Sequence, residues 1–355
     1  MTSPEKIIRD DIRAMTAYHV PPAAGMVKLD AMENPYRLPQ ALREAIGALA
    51  ATAEINRYPD PAAPALKARL REVMGIPAQC DVLLGNGSDE IIQMVVQAAA
   101  RPGAVAMAPE PTFVMYRGYA ATMQVRFVGV PLAEDFALDA QRFLATMARE
   151  RPALVFIAYP NNPSGNLFAD DVIAEIIERA PGLVVVDEAY HVFAGHTFMD
   201  RVARYPNLMV LRTVSKLGLA GLRLGYAVAR PEWIREFDKV RSPYNVGTLT
   251  QLIAAKVLEH HDELERQAAA VRSERGRLAA RLAALGQVQS FPSRANFILV
   301  RVSDAPRVFE GLRSRGVLVK MLHGSHPLLE HCLRLTIGTP EENDRLLDAL
   351  TASLA

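Results

Sequence analysis

Between about residues 80 and 230 the chain alternates short, wholly apolar runs with stretches of helical periodicity, and this alternation restricts its fold more than any other feature. In order come "DVLLG", "SDEIIQMVVQAAA", "AVAMAP", "LVFIAYP", "DVIAEIIERA", "LVVVDEAY" and "NLMVLRTVSK". A strand with one face in water alternates polar and apolar residues, whereas these runs do not, so both of their faces must be buried. A parallel or mostly parallel sheet covered by helices on both sides meets that demand.

After "PYNVGTLTQ" the pattern changes to one long charged helix, "HDELERQAAAVRSERGRLAARLAAL", stopped by Gly286 and followed by strands in "NFILVRV", "GVLVK" and "CLRLTIG". Thr339, Pro340 and Glu342 then supply a capping box, with proline at the first helical position, before a last helix through "RLLDAL". A length of 355 residues exceeds the roughly 250–300 at which single cores stop growing. The expected division is an N-terminal arm with part of the small domain (1–40), a large α/β domain (41–250) and a small α+β domain (251–355).

Forty Lys and Arg against 39 Asp and Glu leave a formal charge of +1 with no basic cluster, so no nucleic-acid partner is expected. Cys80 and Cys332 form no CxxC pair, and no HExxH or comparable metal signature occurs. No stretch approaches the ~18 apolar residues of a membrane span, and the N-terminus lacks the apolar core of a secretory signal. A cytoplasmic protein with small-molecule partners and no metal is the expectation.

Ligands of open α/β sheets sit beyond the carboxyl ends of the strands, so the residues just after each run deserve the closest reading. "LLGNGSDE" places Gly87 and Ser88 between a strand and a helix, where backbone N–H groups and the positive helix end suit an anion such as phosphate. "YPNNPSG" sets Asn162 after a strand, although such clusters also make plain turns. "LVVVDEAY" ends on Asp187, Glu188 and Tyr190. Lys216 follows the last run; most lysines are exposed and inert, but one held in an apolar crevice has a lowered pKa and an amine able to condense with an aldehyde.

Pyridoxal 5'-phosphate, with its aldehyde, phosphate and basic ring nitrogen, would engage every one of these parts. Lys216 would bind the aldehyde and Asp187 would keep the ring nitrogen protonated. Asn162 and Tyr190 would hydrogen-bond the phenolic oxygen, while Gly87, Ser88, Ser215 and Arg223 would neutralise the phosphate.

At these residues the sequence resembles the fold-type I, aspartate-aminotransferase-like pyridoxal phosphate enzymes, and more closely the histidinol-phosphate aminotransferases. The matching segments run in family order through nearly the whole chain: "KLDAMENPY", "NRYPDP", "LLGNGSDEII", "PTFVMY", "YPNNPSGNLF", "VVVDEAY", "RTVSKLGLAGLRLGY", "ANFILVRV" and "CLRLTIGTPEEN". The resemblance implies amino transfer between L-histidinol phosphate and 2-oxoglutarate, in a homodimer with shared active sites. By it, Lys216, Asp187 and Tyr190 are the catalytic residues, Phe113 stacks on the cofactor ring, and Asp89 joins Gly87 and Ser88 in holding the cofactor. Tyr58 reaches the cofactor phosphate of the neighbouring subunit. Arg334 grips the substrate's anionic group, and Tyr18, Asn34 and Lys320 complete the substrate-binding set.

Four features depart from the family pattern. Phe113 stands where many relatives have tyrosine, Lys320 where some have arginine, and Met32 where many have asparagine, while the histidine-rich "HGSHPLLEH" (His323 to His331) receives no role. Competing readings are an aromatic or broad-specificity aminotransferase and a phosphothreonine-type decarboxylase. The effector-binding half of a transcription regulator is a third, for which a helix-turn-helix segment is expected to be missing ahead of "KLDAMENPY".

Overall fold

The computed structural model describes residues 2–17 and 20–355. Its strands, in chain order, are β1 (Val27–Leu29), β2 (Asp81–Asn86), β3 (Val105–Glu110), β4 (Arg126–Pro131), β5 (Leu154–Ala158), β6 (Leu183–Asp187), β7 (Leu208–Thr213), β8 (Leu224–Ala229), β9 (Gln289–Ser290), β10 (Phe297–Arg301), β11 (Val317–Met321) and β12 (Cys332–Thr336). They form two sheets: a seven-stranded one ordered β2-β8-β7-β6-β5-β3-β4 and a five-stranded one ordered β1-β11-β12-β10-β9. In the larger sheet β3 to β7 run parallel, and β8 alone is antiparallel to its neighbours β2 and β7.

The apolar runs behave as two-faced strands. In β6, Val184 and Val186 pack into one core while Leu183 and Val185 pack into another on the opposite face; β7 divides Leu208 and Val210 from Met209 and Leu211 in the same way. That is the two-residue pleat period with helices on both sides. Each such fully buried aliphatic side chain stabilises the fold by about 1.5–3 kcal/mol.

Strands β4 and β8 are legible in the sequence only after the fact. "RFVGVP" carries glycine and proline at a sheet edge, and "LGYAVA" is rich in small residues with weak strand preference. For β8 the small residues have a packing reason: a Cβ on Gly225 would lie 2.4 Å from the Ser88 amide nitrogen and 2.5 Å from the Gly87 carbonyl carbon. Only glycine lets this strand pass under the β2-to-helix turn.

The long helix spans His261–Ala283. The final helix begins at Pro340 with Thr339 and Glu342 making the reciprocal capping box expected from their spacing. In the smaller sheet β1 pairs in parallel with β11, so the N-terminal segment is woven into the C-terminal sheet. Among the described residues no helix is long and apolar enough to cross a membrane.

Candidate active site

Chain order reverses between β3 and β5: β4 lies on the outer side of β3, and the chain then returns to build β5, β6 and β7 on the other side. The carboxyl ends of these strands surround a cavity of about 420 Å³. Ser88 and Asp89 reach it from the end of β2, Phe113 from the end of β3, Asn162 from β5, Asp187 and Tyr190 from β6, Ser215 and Lys216 from β7, and Arg223 from the turn into β8.

Asp187 is 5% exposed and lies at the end of a strand with no water-facing side. Burial pushes its carboxyl up to about 6, opposed by hydrogen bonds from the Tyr116 hydroxyl (2.7 Å to Oδ2) and the Ala189 amide (3.1 Å to Oδ1). Tyr116 itself is fully buried and stacks on Phe156, with centroids 4.7 Å apart. Sequence reasoning missed this residue. Its signal was the three-residue spacing from Phe113 in "PTFVMY", which puts the two rings on one side of the turn into the helix Met115–Thr122.

Lys216 follows β7 in a short 3-10 turn and donates from Nζ to the Ala31 carbonyl at 3.2 Å. Burial lowers its amine to about 8, and the positive Arg334 works in the same direction, while Glu33 and Asp89 oppose. At pH 7 about a tenth of this amine is therefore unprotonated, far more than of an exposed lysine. Glu188, next to Asp187, turns away from the cavity and is fully buried against Arg212, whose Nε donates to it at 2.9 Å. The Thr197 hydroxyl and the Phe198 amide donate to the same carboxylate, which ties down the chain beyond Asp187.

A second chain of hydrogen bonds starts at Arg334, which is buried and not among the residues lining the cavity, and runs to the wall residues Asn162, Tyr190 and Met32. Arg334 donates from Nη1 to Asn162 Oδ1 at 2.7 Å, Asn162 Nδ2 donates to the Tyr190 hydroxyl at 3.3 Å, and that hydroxyl donates to Met32 Sδ at 3.1 Å. Arg334 also spreads over the Phe297 ring at 5.4 Å and donates to the Asp30 carbonyl at 2.9 Å. Met32 occupies the left-handed region (φ 55), which asparagine tolerates better, so its thioether is kept at some conformational cost.

Not every expected residue meets in this cavity. Asn34 lies in an adjoining cleft of about 270 Å³ that shares Ser215 with it, and its Nδ2 donates to Gln267 at 3.2 Å. Lys320 is the sheet partner of Arg334 and is half-buried. Tyr58 is 80% exposed and stacks on Tyr244 at 4.4 Å, away from the cavity of its own subunit. Tyr18 lies outside the described residues.

The residues present fit pyridoxal phosphate. Gly87, at φ 84, precedes the helix Ser88–Ala99 with no side chain capping its first amides, and a Cβ there would sit 2.6 Å from Arg223 Nη2. The result is an open helix end beside a guanidinium, suited to a phosphate. A desolvated amine, a buried carboxylate and a flat aromatic wall at Phe113 complete a set matched to the aldehyde, ring nitrogen and ring face. Replacing Gly225 with alanine should displace the Gly87–Ser88 backbone and misdirect its amides. The expected result is about tenfold weaker binding of pyridoxal phosphate, the equivalent of one lost hydrogen bond, measured by fluorescence titration of cofactor-free protein.

Comparison with known proteins identifies the family. Residues 24–350 match the family model described as aminotransferase class I and II. The chain is 56% identical over 354 residues to histidinol-phosphate aminotransferase 1 of Ralstonia nicotianae, covering 98% of this chain and 95% of that protein. It is also 56% identical over 355 residues to histidinol-phosphate aminotransferase 2 of Cupriavidus pinatubonensis, covering 99% and 97%. Among solved structures, histidinol-phosphate aminotransferase from Sinorhizobium meliloti in complex with pyridoxal 5'-phosphate superposes with a TM-score of 0.88 at 26% identity, over 98% of this chain and 97% of that one. By fold, site and sequence the chain is a class I and II aminotransferase, with the fold-type I architecture. Within that class it belongs to the histidinol-phosphate aminotransferases.

Proposed function

We propose that the chain moves the amino group of L-glutamate to imidazole-acetol phosphate, yielding 2-oxoglutarate and L-histidinol phosphate for histidine biosynthesis. The observation that carries this reading is the desolvated Lys216 amine in one cavity with Asp187, on the scaffold of a chain more than half identical to histidinol-phosphate aminotransferases. The cofactor is pyridoxal 5'-phosphate, whose ring takes up the electrons left on the substrate carbon when its proton departs.

Each residue has a defined task. Lys216 Nζ, neutral, removes the proton from the amino-bearing carbon of glutamate, and in the second half-reaction returns a proton to the former carbonyl carbon of the acceptor. Asp187, buried and oriented by Tyr116, holds the positive charge of the cofactor's ring nitrogen. Tyr190 and Asn162 orient the ring oxygen, Phe113 covers the ring face, and Ser88, Ser215 and Arg223 hold the phosphate end together with the Gly87 turn and the backbone amide of Asp89. Arg334 anchors the carboxylate of glutamate and the phosphate of the partner substrate in turn, helped by Lys320, Asn34 and Tyr18. Two chains assemble as a cytoplasmic homodimer, in which the exposed Tyr58 serves the other subunit's site.

The cavity's two titrating groups predict how the protein depends on its cofactor. Asp187, raised to about 6, favours the fold when protonated, a contribution lost as pH rises through that value; Lys216, lowered to about 8, favours the fold when neutral, a contribution lost as pH falls through that value. Between pH 6 and 8 the cofactor-free protein therefore carries two poorly solvated charges. Removing pyridoxal phosphate should lower Tm by about 5 °C or more, with the largest deficit in that interval, read by calorimetry of both forms across pH.

The functional reading is tested by kcat/KM for histidinol phosphate against phenylalanine, each with 2-oxoglutarate. A ratio of at least about tenfold in favour of histidinol phosphate is expected. A ratio below one would move the assignment to the aromatic aminotransferases and leave the cofactor chemistry intact.

A further inference from the structure

The loop "HGSHPLLEH" joins β11 to β12 and takes no part in the cavity. Its two ends meet. The Leu322 amide donates to the Cys332 carbonyl at 3.1 Å, the His331 amide donates to His323 Nδ1 at 3.0 Å, and the imidazoles of His323 and His331 stack with centroids 4.7 Å apart. Glu330 Oε2 lies 3.0 Å from His323 Nδ1, and one ligand atom from each of His323, Glu330 and His331 falls within 4.8 Å of the other two.

Two details mark this cluster as incomplete without a cation. His323 Nδ1 faces both an amide donor and a carboxylate acceptor, and one ring nitrogen cannot satisfy both: it carries either a proton or a lone pair. With the lone pair turned to the amide, the nitrogen and the carboxylate confront each other as two acceptors. His331 Nδ1, meanwhile, is enclosed and has no hydrogen-bond partner. A cation shared by the two imidazoles and the carboxylate turns these mismatched acceptors into ligands.

We propose that His323, Glu330 and His331 form a binding site for a divalent transition metal of the zinc type, closing the β11–β12 hairpin. Two imidazoles and one carboxylate, with water in the fourth position, are a common zinc donor set, and side-chain rotations bring atoms now within 4.8 Å to coordination distances near 2.0–2.2 Å. The hairpin so clipped carries Lys320 three residues before His323 and Arg334 three residues after His331, and these two are direct sheet partners. The metal thus fixes the register of the strand pair that carries two residues of the proposed substrate-binding set, without contacting the reacting atoms. The site stands independently of the assigned reaction.

The test is zinc titration of the cofactor-loaded protein by isothermal calorimetry, after chelator treatment and dialysis into metal-free buffer. One equivalent per chain is expected, accompanied by a rise in Tm. Both should be lost in the double variant His323→Ala/His331→Ala and retained when the exposed His196 is replaced by alanine. Each single variant, including Glu330→Gln, should weaken zinc binding at least about tenfold. Absence of zinc binding by the parent protein, or equal affinity in the parent and the double variant, would overturn the proposal. Should the double variant fold poorly, Glu330→Gln decides alone, since it keeps both rings and the size of the side chain.

Discussion

Replacing Lys216 with alanine is expected to lower turnover by at least about four orders of magnitude. The estimate follows from its position: Nζ is the basic atom that reaches the cavity from β7, and both proton transfers of the reaction are assigned to it. A positioned general base contributes about 10²–10⁴-fold in a single step, and this residue acts in two. The fold should survive, because alanine removes a group whose charged form is poorly solvated there and vacates a cavity already open to water. Stopped-flow measurement of both half-reactions checks the prediction, together with visible spectra of the cofactor-loaded variant, which should lack the absorbance band of a lysine-bound cofactor. Restoration of part of the rate by exogenous small amines would show that the missing element is the amine and not the architecture.

The second large effect is expected at Asp187. Asparagine in its place would keep the volume and could still accept the Tyr116 hydroxyl, so the substitution removes charge with little change of shape. Loss of one preorganised electrostatic partner costs about 10²–10³ in kcat, and Asp187→Asn should fall in that range. The effect on stability has the opposite sign. At pH 7 the carboxyl, held up at about 6 by burial, is mostly ionised at the expense of the fold, so the cofactor-free asparagine variant should melt no lower than the parent at pH 7. Rates and melting curves of the two proteins, the latter without cofactor, separate an electrostatic role from a structural one. A variant that lost activity only because it unfolded would contradict the assignment.

The sequence revealed most where burial and chemistry coincide. Apolar runs ending abruptly in Asp187 or continuing to Lys216 carry both signals at once: two buried faces, then a polar group that has to be explained. Residues whose roles depend on long-range packing were harder to read. Tyr116 looks like any aromatic core residue until β5 and β6 place Phe156 and Asp187 beside its ring and hydroxyl. Gly225 looks like a weakness in a strand until the β2 turn is seen crossing above it. Glu188 could not be distinguished from a surface acid, since its partner Arg212 lies on a different strand. The pairing of His323 with His331 likewise appears only once the hairpin closes.

The central claim is that this cavity exchanges the amino group of a phosphorylated imidazole amine, and a single-turnover experiment tests it most directly. The cofactor-loaded protein is mixed rapidly with L-histidinol phosphate and, separately, with phenylalanine, while the visible band of the bound cofactor is followed. Rapid loss of the band with histidinol phosphate, reversed on adding 2-oxoglutarate, is the predicted result. No change with histidinol phosphate alongside a rapid response to phenylalanine would contradict it.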